Sequence, residues 1–309
     1  MRRLCVPMST LQAAIGKRHF GRGLHDMVYR LVFAGLLLSA TATSRALPSI
    51  DPETVEIRSG TLHLKGYLWE PSGTGPFPAV LFNHGRSDAP QQHTRALTIT
   101  AAARTLGPVF VQHGYVFLYP FRRGEGLSAE QGPFIGDLLA RETATRGEDA
   151  RAHLQFVLLT TDHLEDATSA LSFLRSLTTV DPRRIAVAGH SFGAQLTLLI
   201  VGRDPSIRGA VVFGPAAASW QRSLESRESL IAAVRKTAAP IMFIHTANDY
   251  DTTPGLTLAA QLDSLHKPNL LKIYPPVGQT PSEGHNFLYT NISLWESDVF
   301  GFLDEYVKR

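Results

Sequence analysis

Ile185-Ala-Val-Ala-Gly-His-Ser-Phe-Gly193 is the stretch around which the rest of the chain can be ordered. Ile185 to Ala188 is apolar and partly β-branched, the composition of a buried strand. Gly189 and Gly193 flank Ser191 at the two places where a sharp turn has no room for a Cβ. Ala194 to Val201 is mostly apolar and compatible with a helix. Gly-x-Ser-x-Gly alone occurs by chance. Set between a buried strand and a helix it becomes a nucleophile elbow, which pushes the serine hydroxyl out of the backbone into a pocket.

A serine hydroxyl is a poor nucleophile near neutral pH. It needs a base within hydrogen-bond reach, a group to orient that base, and donors for the developing oxyanion. In such a fold the acid and the histidine follow the serine in that order, at the ends of later strands. Ile241-Met-Phe-Ile-His-Thr-Ala-Asn-Asp249 reads as a buried strand ending in a polar turn, which puts Asp249 in place as the acid. Asp251 competes with it, and Asp249 is preferred because it lies closer to the strand end. Ser282-Glu-Gly-His285 falls in a loop after the last strand, and His285 is the candidate base. His190 lies inside the elbow with its side chain directed away from the serine. His84 and His245 follow strands and read as loop supports. The oxyanion hole is expected from the N–H groups of Phe192 and Arg86, the latter in His84-Gly-Arg-Ser87 after an earlier strand. The Arg86 side chain either recognises a substrate carboxylate or is simply solvated. Arg122 and Arg123 are expected in structural ion pairs with Glu125 or Glu148. Pro215, Trp220 and Tyr250 are candidate pocket walls, Trp220 and Tyr250 as substrate-binding residues. No metal-ligand cluster or phosphate loop is apparent, and His84, His93 and His113 are too scattered in setting for a zinc site. No cofactor is expected.

Outward from the elbow, the remaining elements follow one pattern. Thr54–Arg58 and Leu62–Trp69 alternate apolar and polar around Ser59-Gly60, as a hairpin with one wet face does. Ala79–Phe82, Tyr115–Tyr119, Gly209–Phe213, Pro240–Ile244 and Leu270–Tyr274 are short buried strands. Helices are expected over Thr98–His113, interrupted at Gly107-Pro108, over most of Glu148–Leu177, over Leu256–His266 and over Leu294–Lys308. Residues 127–147 read as irregular, and Asp181-Pro182 as the break before the elbow strand. Residues 214–238 form a small insertion with a helical part. Strands alternating with helices predict an α/β fold with a mostly parallel sheet covered on both faces.

At 309 residues, with 44% hydrophobic and 18% charged residues, the chain has the length and composition of an ordinary globular protein. Its net charge of +3 is misleading. Residues 1–30 are basic, Leu31-Val-Phe-Ala-Gly-Leu-Leu-Leu38 is an apolar run, and small residues lead to Ala46. That order is expected of a secretory signal, cleaved after Ala42 or Ala46, with Met27 as an alternative start. The other reading of residues 1–46 is a basic leader. Seven of the 30 Lys and Arg lie there, with Asp26 as its one acid, so residues 47–309 carry a net charge of −3. The basic balance therefore gives no reason to expect a nucleic-acid partner. The single cysteine, Cys5, is in the leader as well. Residues 47–309 read as one domain with no stable membrane span, located in the periplasm or outside the cell.

Asn83-His-Gly-Arg86, Pro120-Phe-Arg-Arg-Gly-Glu-Gly126, Gly189-His-Ser-Phe-Gly193, His245-Thr-Ala-Asn-Asp249 and Gly284-His285 closely resemble the α/β-hydrolase superfamily. The resemblance is to its dienelactone-hydrolase-like and prolyl-oligopeptidase-like branch and covers about residues 54–309. It implies an eight-stranded, mostly parallel sheet and a triad of Ser191, Asp249 and His285. Dienelactone hydrolases proper use a cysteine nucleophile. Ser191 departs from that, so their lactone substrate is not carried over. The expected activity is hydrolysis of a small-molecule carboxylic ester through an acyl-enzyme. A small serine peptidase or amidase is the second reading, and a catalytically silent binding protein on the same scaffold the third.

Overall fold

The computed structural model describes residues 51–86 and 92–309. The leader expected over residues 1–46 and Ser87 of the oxyanion loop lie outside the described residues. In chain order the elements are β1 (Glu53–Ser59), β2 (Leu62–Trp69), β3 (Phe77–Asn83), α1 (Gln92–Gln112), β4 (Val116–Pro120), α2 (Ile135–Thr160), α3 (Asp162–Ser176), β5 (Val180–His190) and α4 (Phe192–Val201). Then follow β6 (Gly209–Phe213), α5 (Leu224–Lys236), β7 (Ile241–Thr246), α6 (Thr253–Ser264), β8 (Asn269–Tyr274), α7 (Pro281–His285), α8 (Phe287–Thr290) and α9 (Ile292–Tyr306).

The eight strands form one sheet in the order β1-β2-β4-β3-β5-β6-β7-β8. β1 pairs antiparallel with β2 and β2 with β4, and every later pairing is parallel. The period of two along each strand divides the core. In β3, Ala79 and Leu81 face a layer containing Leu171 of α3 and Leu196 of α4. Val80 and Phe82 face the opposite layer, with Phe110 of α1 and Trp295 of α9. Helices therefore cover both faces, and β3, β4 and β6 read as continuous apolar runs because neither face is wet. β1 alternates instead, burying Val55, Ile57 and Ser59. This is the α/β-hydrolase architecture, with α5 as the small insertion after the sixth strand.

The parallel register brings the functional loops together. Asn83 pairs with Gly189, His190 with Phe213, Phe213 with Ile244 and Thr246 with Tyr274. The carboxyl ends of β3, β5, β6, β7 and β8 thus finish along one edge, where loops can converge.

Several local expectations are corrected. α1 runs through Gly107-Pro108 without a break. Proline removes one helical hydrogen bond, but Gly107 lies flat on the Trp69 indole, where a Cβ would collide with the ring, and that packing carries the helix across. Residues 127–147 are largely ordered: a 3-10 turn at Gly126–Ser128 is followed by α2, interrupted at Gly147 with φ 86°. The helix expected over Glu148–Leu177 is divided at Thr161 (φ −115°, ψ −98°). Asp181-Pro182 sits inside β5, at a shift of register between β3 and β5. Proline is tolerated at such an irregularity because no ladder N–H is needed there.

Candidate active site

Ser191 is the single residue between the end of β5 and the start of α4. Its backbone is at φ 55°, ψ −114°, a region costing about 1–3 kcal/mol for a residue with a Cβ. Three contacts over-determine it. The Ser191 N–H donates to the Phe213 carbonyl at 2.9 Å. A Cβ on Gly189 would lie 2.6 Å from Thr197 Oγ1, and one on Gly193 would strike the carbonyls of Asn83 and His84. The elbow is therefore pressed against the end of β3, and both flanking positions require glycine. Phe192 opens α4, so its N–H has no intrahelical acceptor and is available at the turn.

Asp249 lies three residues beyond β7, its N–H donating to Thr246 O at 3.1 Å. Its side chain is 2% exposed and accepts from two imidazoles and from the Tyr250 N–H at 2.7 Å. His285 Nδ1 donates to Oδ1 at 2.6 Å, and His245 Nδ1 to Oδ2 at 2.7 Å. Burial alone would raise the Asp249 carboxyl, but the bonds from His245 and His285 outweigh it and hold the group well below the usual carboxylate range. An imidazole whose Nδ1 proton is directed at Asp249 can keep a lone pair on Nε2, which is what a general base requires. Asp251 does not compete for this role. It accepts from the Thr253 N–H at 2.8 Å and from Gln221 Nε2 at 3.0 Å.

His285 is carried by α7, a short helix where a loop was expected. A capping box between Thr280 and Glu283 starts it. Asn248, next to Asp249, fastens the incoming chain: its Nδ2 donates to Val277 O at 2.9 Å, and its Oδ1 accepts from Val277 N at 2.9 Å. Behind His285 stands His190, their rings 4.6 Å apart. His190 Nε2 donates to His285 O at 3.0 Å, and its Nδ1 accepts from Tyr289 Oη at 3.2 Å. Burial, with His285 adding, pushes the His190 imidazole down to about 3, so it packs as a neutral group.

Sequence reading did not identify Asn248 and treated His245 as a loop support. His245 is wholly buried on the carboxylate that also receives His285. Its place four residues before Asp249, on the strand that carries it, was the available signal.

Ser191, Phe192, His285, Arg86 and Tyr250 line one cavity of about 630 Å³, whose far wall comes from the start of the insertion at Ala216–Ser219. The Tyr250 ring centroid is 5.1 Å from that of His285, and Tyr250 is 49% exposed. Arg86 donates through Nη1 to Gln155 at 3.3 Å. Trp220, expected as a pocket wall, is instead 3% exposed and part of the hydrophobic core, with Arg227 stacked over it at 5.6 Å. The turn that points Ser219 and Gln221 at the cavity points Trp220 the other way. Arg122 pairs with Glu125 at 2.8 Å, fully buried. Arg123 turns to α3, meeting Asp166 at 2.7 Å, Glu165 at 3.1 Å and Asp162 at 3.2 Å. Glu148, offered as a partner for this pair, is exposed. Among the described residues no group of three or more His, Cys, Asp or Glu could hold a metal ion, and no helix is long and apolar enough to cross a membrane.

A model of the Dienelactone hydrolase family matches residues 109–291. Esterase EstD of Thermotoga maritima is 28% identical over 199 residues, which is 63% of this chain and 41% of that protein. The chain thus spans about two fifths of that relative's length. Acylaminoacyl peptidase of Pyrococcus horikoshii superposes with a TM-score of 0.61 at 15% identity, over 85% of this chain and 43% of that one. Est1E of Butyrivibrio proteoclasticus, solved with ferulic acid bound, gives 0.56 at 17% identity, over 82% of this chain and 100% of that one. At these identities the structural likeness speaks for the fold.

Proposed function

The chain belongs to the dienelactone hydrolase family and is a hydrolase; within that family we propose that it cleaves carboxylic esters through an acyl-enzyme on Ser191. One observation carries the reading: a cavity lined by Ser191, on its strained turn, and by His285, whose Nδ1 is held 2.6 Å from buried Asp249. In this mechanism His285 Nε2 takes the Ser191 proton as Oγ attacks the acyl carbon. Asp249 orients the imidazole and stabilises the imidazolium. The Phe192 and Arg86 N–H groups receive the oxyanion. The proton then passes to the leaving alcohol, and water repeats the sequence to release the acid.

A fluorophosphonate tests the nucleophile. It should label folded wild type and leave Ser191→Ala unlabelled. An unlabelled wild type would return the chain to a silent binding scaffold. p-Nitrophenyl acyl esters set against aminoacyl anilides then test the bond cleaved, with the esters expected to turn over faster. Faster anilide cleavage would make the protein a peptidase or amidase, whose machinery would be the same.

We also propose export directed by the leader. N-terminal sequencing of protein expressed with residues 1–46 should find a start after Ala42 or Ala46, and an intact leader on secreted protein would refute it.

A further inference from the structure

The loop after β3 runs through His84 and Gly85 to Arg86, and its carbonyls face a buried cation. Arg122, two residues beyond β4, has a side chain only 1% exposed. Its Nη1 donates to His84 O at 2.7 Å and its Nη2 to Gly85 O at 3.3 Å. Nη2 also donates to Glu125 Oε2 at 2.8 Å. The Gly85 carbonyl takes a second bond, from His84 Nδ1 at 2.7 Å. Burial, reinforced by the Arg122 charge, holds the His84 imidazole well below its ordinary value, so it is neutral. Its Nδ1 lies 3.1 Å from Arg122 Nη2 and closer, at 2.7 Å, to the carbonyl, which can only accept, so the proton is assigned to Nδ1. Two consecutive carbonyls of one loop are therefore fixed on the buried side.

A trans peptide holds its C=O and N–H on opposite sides. The Gly85–Arg86 peptide is trans. Fixing its oxygen toward Arg122 turns the Arg86 N–H the other way. Gly85 stands against the elbow, since a Cβ there would lie 3.5 Å from Ser191 Cβ, and Arg86 lines the same cavity as Ser191. The Arg122 guanidinium also sits 5.4 Å from the Phe192 ring centroid, beside the residue that carries the other N–H.

We propose that Arg122 is a positioning residue for the oxyanion hole, holding the His84 and Gly85 carbonyls so that the Arg86 N–H faces the oxygen that becomes negative during attack by Ser191. The inference rests on Ser191 being the nucleophile. It assigns Arg122 more than an ion pair with Glu125. A lysine could neutralise Glu125, but its single ammonium cannot span both carbonyls and the carboxylate in one plane as the guanidinium fork does.

Two variants test it: Arg122→Lys, and the pair Arg122→Met with Glu125→Leu, which removes both charges and leaves neither buried alone. The measurements are thermal melting, fluorophosphonate labelling of the wild type, kcat and KM on p-nitrophenyl acetate, the pH profile of kcat/KM, and inhibition by an aryl trifluoromethyl ketone, whose hemiketal on Ser191 carries an oxyanion. In both variants kcat should fall about 10²-fold, with KM little changed and inhibitor affinity weakened by a similar factor. The pH midpoint of kcat/KM, which belongs to the base, should stay where it is. Folded variants with wild-type kcat and inhibitor affinity would overturn the proposal. So would an Arg122→Lys enzyme equal to wild type, or a loss of rate that follows a moved pH midpoint. If neither variant folds, Arg122 is a stability element and the positioning role falls. An unlabelled wild type would remove the nucleophile reading itself, and this inference with it.

Discussion

The two sides of the cavity are held by opposite means. On the base side, a buried anion, Asp249, is satisfied by two imidazoles and the Tyr250 N–H, and the chain carrying His285 is fastened by side-chain bonds from Asn248. That side grows from β7 and the edge strand β8, whose residues are largely half-exposed. On the oxyanion side, a buried cation, Arg122, is satisfied by carbonyls and Glu125, between strands buried on both faces. The edge lets loops be re-aimed at little expense to the core. The centre makes the oxyanion loop part of the core itself. Damage to the base side should therefore lower rate before stability, and damage beside the centre should lower stability as well.

The sharpest test of that contrast is Asp249→Asn. The amide matches the carboxylate in size but would present an N–H to one of the two imidazoles and fix the wrong tautomer. kcat on a p-nitrophenyl ester should fall about 10⁴-fold. A fall of the melting midpoint large enough to explain the lost rate would erase the distinction between the two sides. Next in size is a pair of aromatic truncations. Trp220→Ala, in the core, should destabilise by about 3–5 kcal/mol in denaturant unfolding. Tyr250→Ala, on the cavity rim, should stay within about 0.5 kcal/mol while changing KM. Equal stability losses would mean that Tyr250 belongs to the core too. His245→Leu removes one of three charge-assisted bonds to Asp249 and should lower kcat about tenfold or more. An unchanged kcat would show that His285 and the Tyr250 N–H suffice to hold the carboxylate.

The smallest effect is a matter of pH. His190 has an ordinary value of 6.5 and a folded value of about 3. Between those values the unfolded chain binds the extra proton, so stability falls as pH falls through that window. His84 and His163 are lowered in the same direction, burial being the first cause in each. The melting temperature should decline from pH 7 to pH 4.5, and less steeply in His190→Asn. A variant slope equal to wild type would detach His190 from the effect.

Much of this architecture was legible in the sequence because its signals are local. Strand runs such as Ala79–Phe82 and Gly209–Phe213 declare burial on both faces within five residues, and the Ser191 turn is written in its own glycines. The juxtaposition of Asp249 with His285 could be anticipated from chain order and strand ends. What escaped depends on distant meetings. The contact of Arg122 with the His84 carbonyl joins residues 38 apart in sequence. The continuity of α1 through Pro108 depends on Trp69, on another element. Trp220 was misjudged for a different reason: residue type suggested a pocket wall, while the phase of the turn decided which way the side chain points.

The Asp249 carboxylate, with its three donors, also bears on motion during the proposed turnover. An imidazole that is to collect a proton from Ser191 and deliver it to a departing alcohol must shift its aim between two oxygens. Were His285 its sole donor, the buried carboxylate would stand alone at each such swing, at a penalty of several kcal/mol for the unpaired ion. Asp249 would keep the bonds from His245 and from the Tyr250 N–H, each at 2.7 Å, while His285 moved. On the proposed mechanism the pair divides its labour into a stationary ring that holds the charge and a travelling ring that carries the proton.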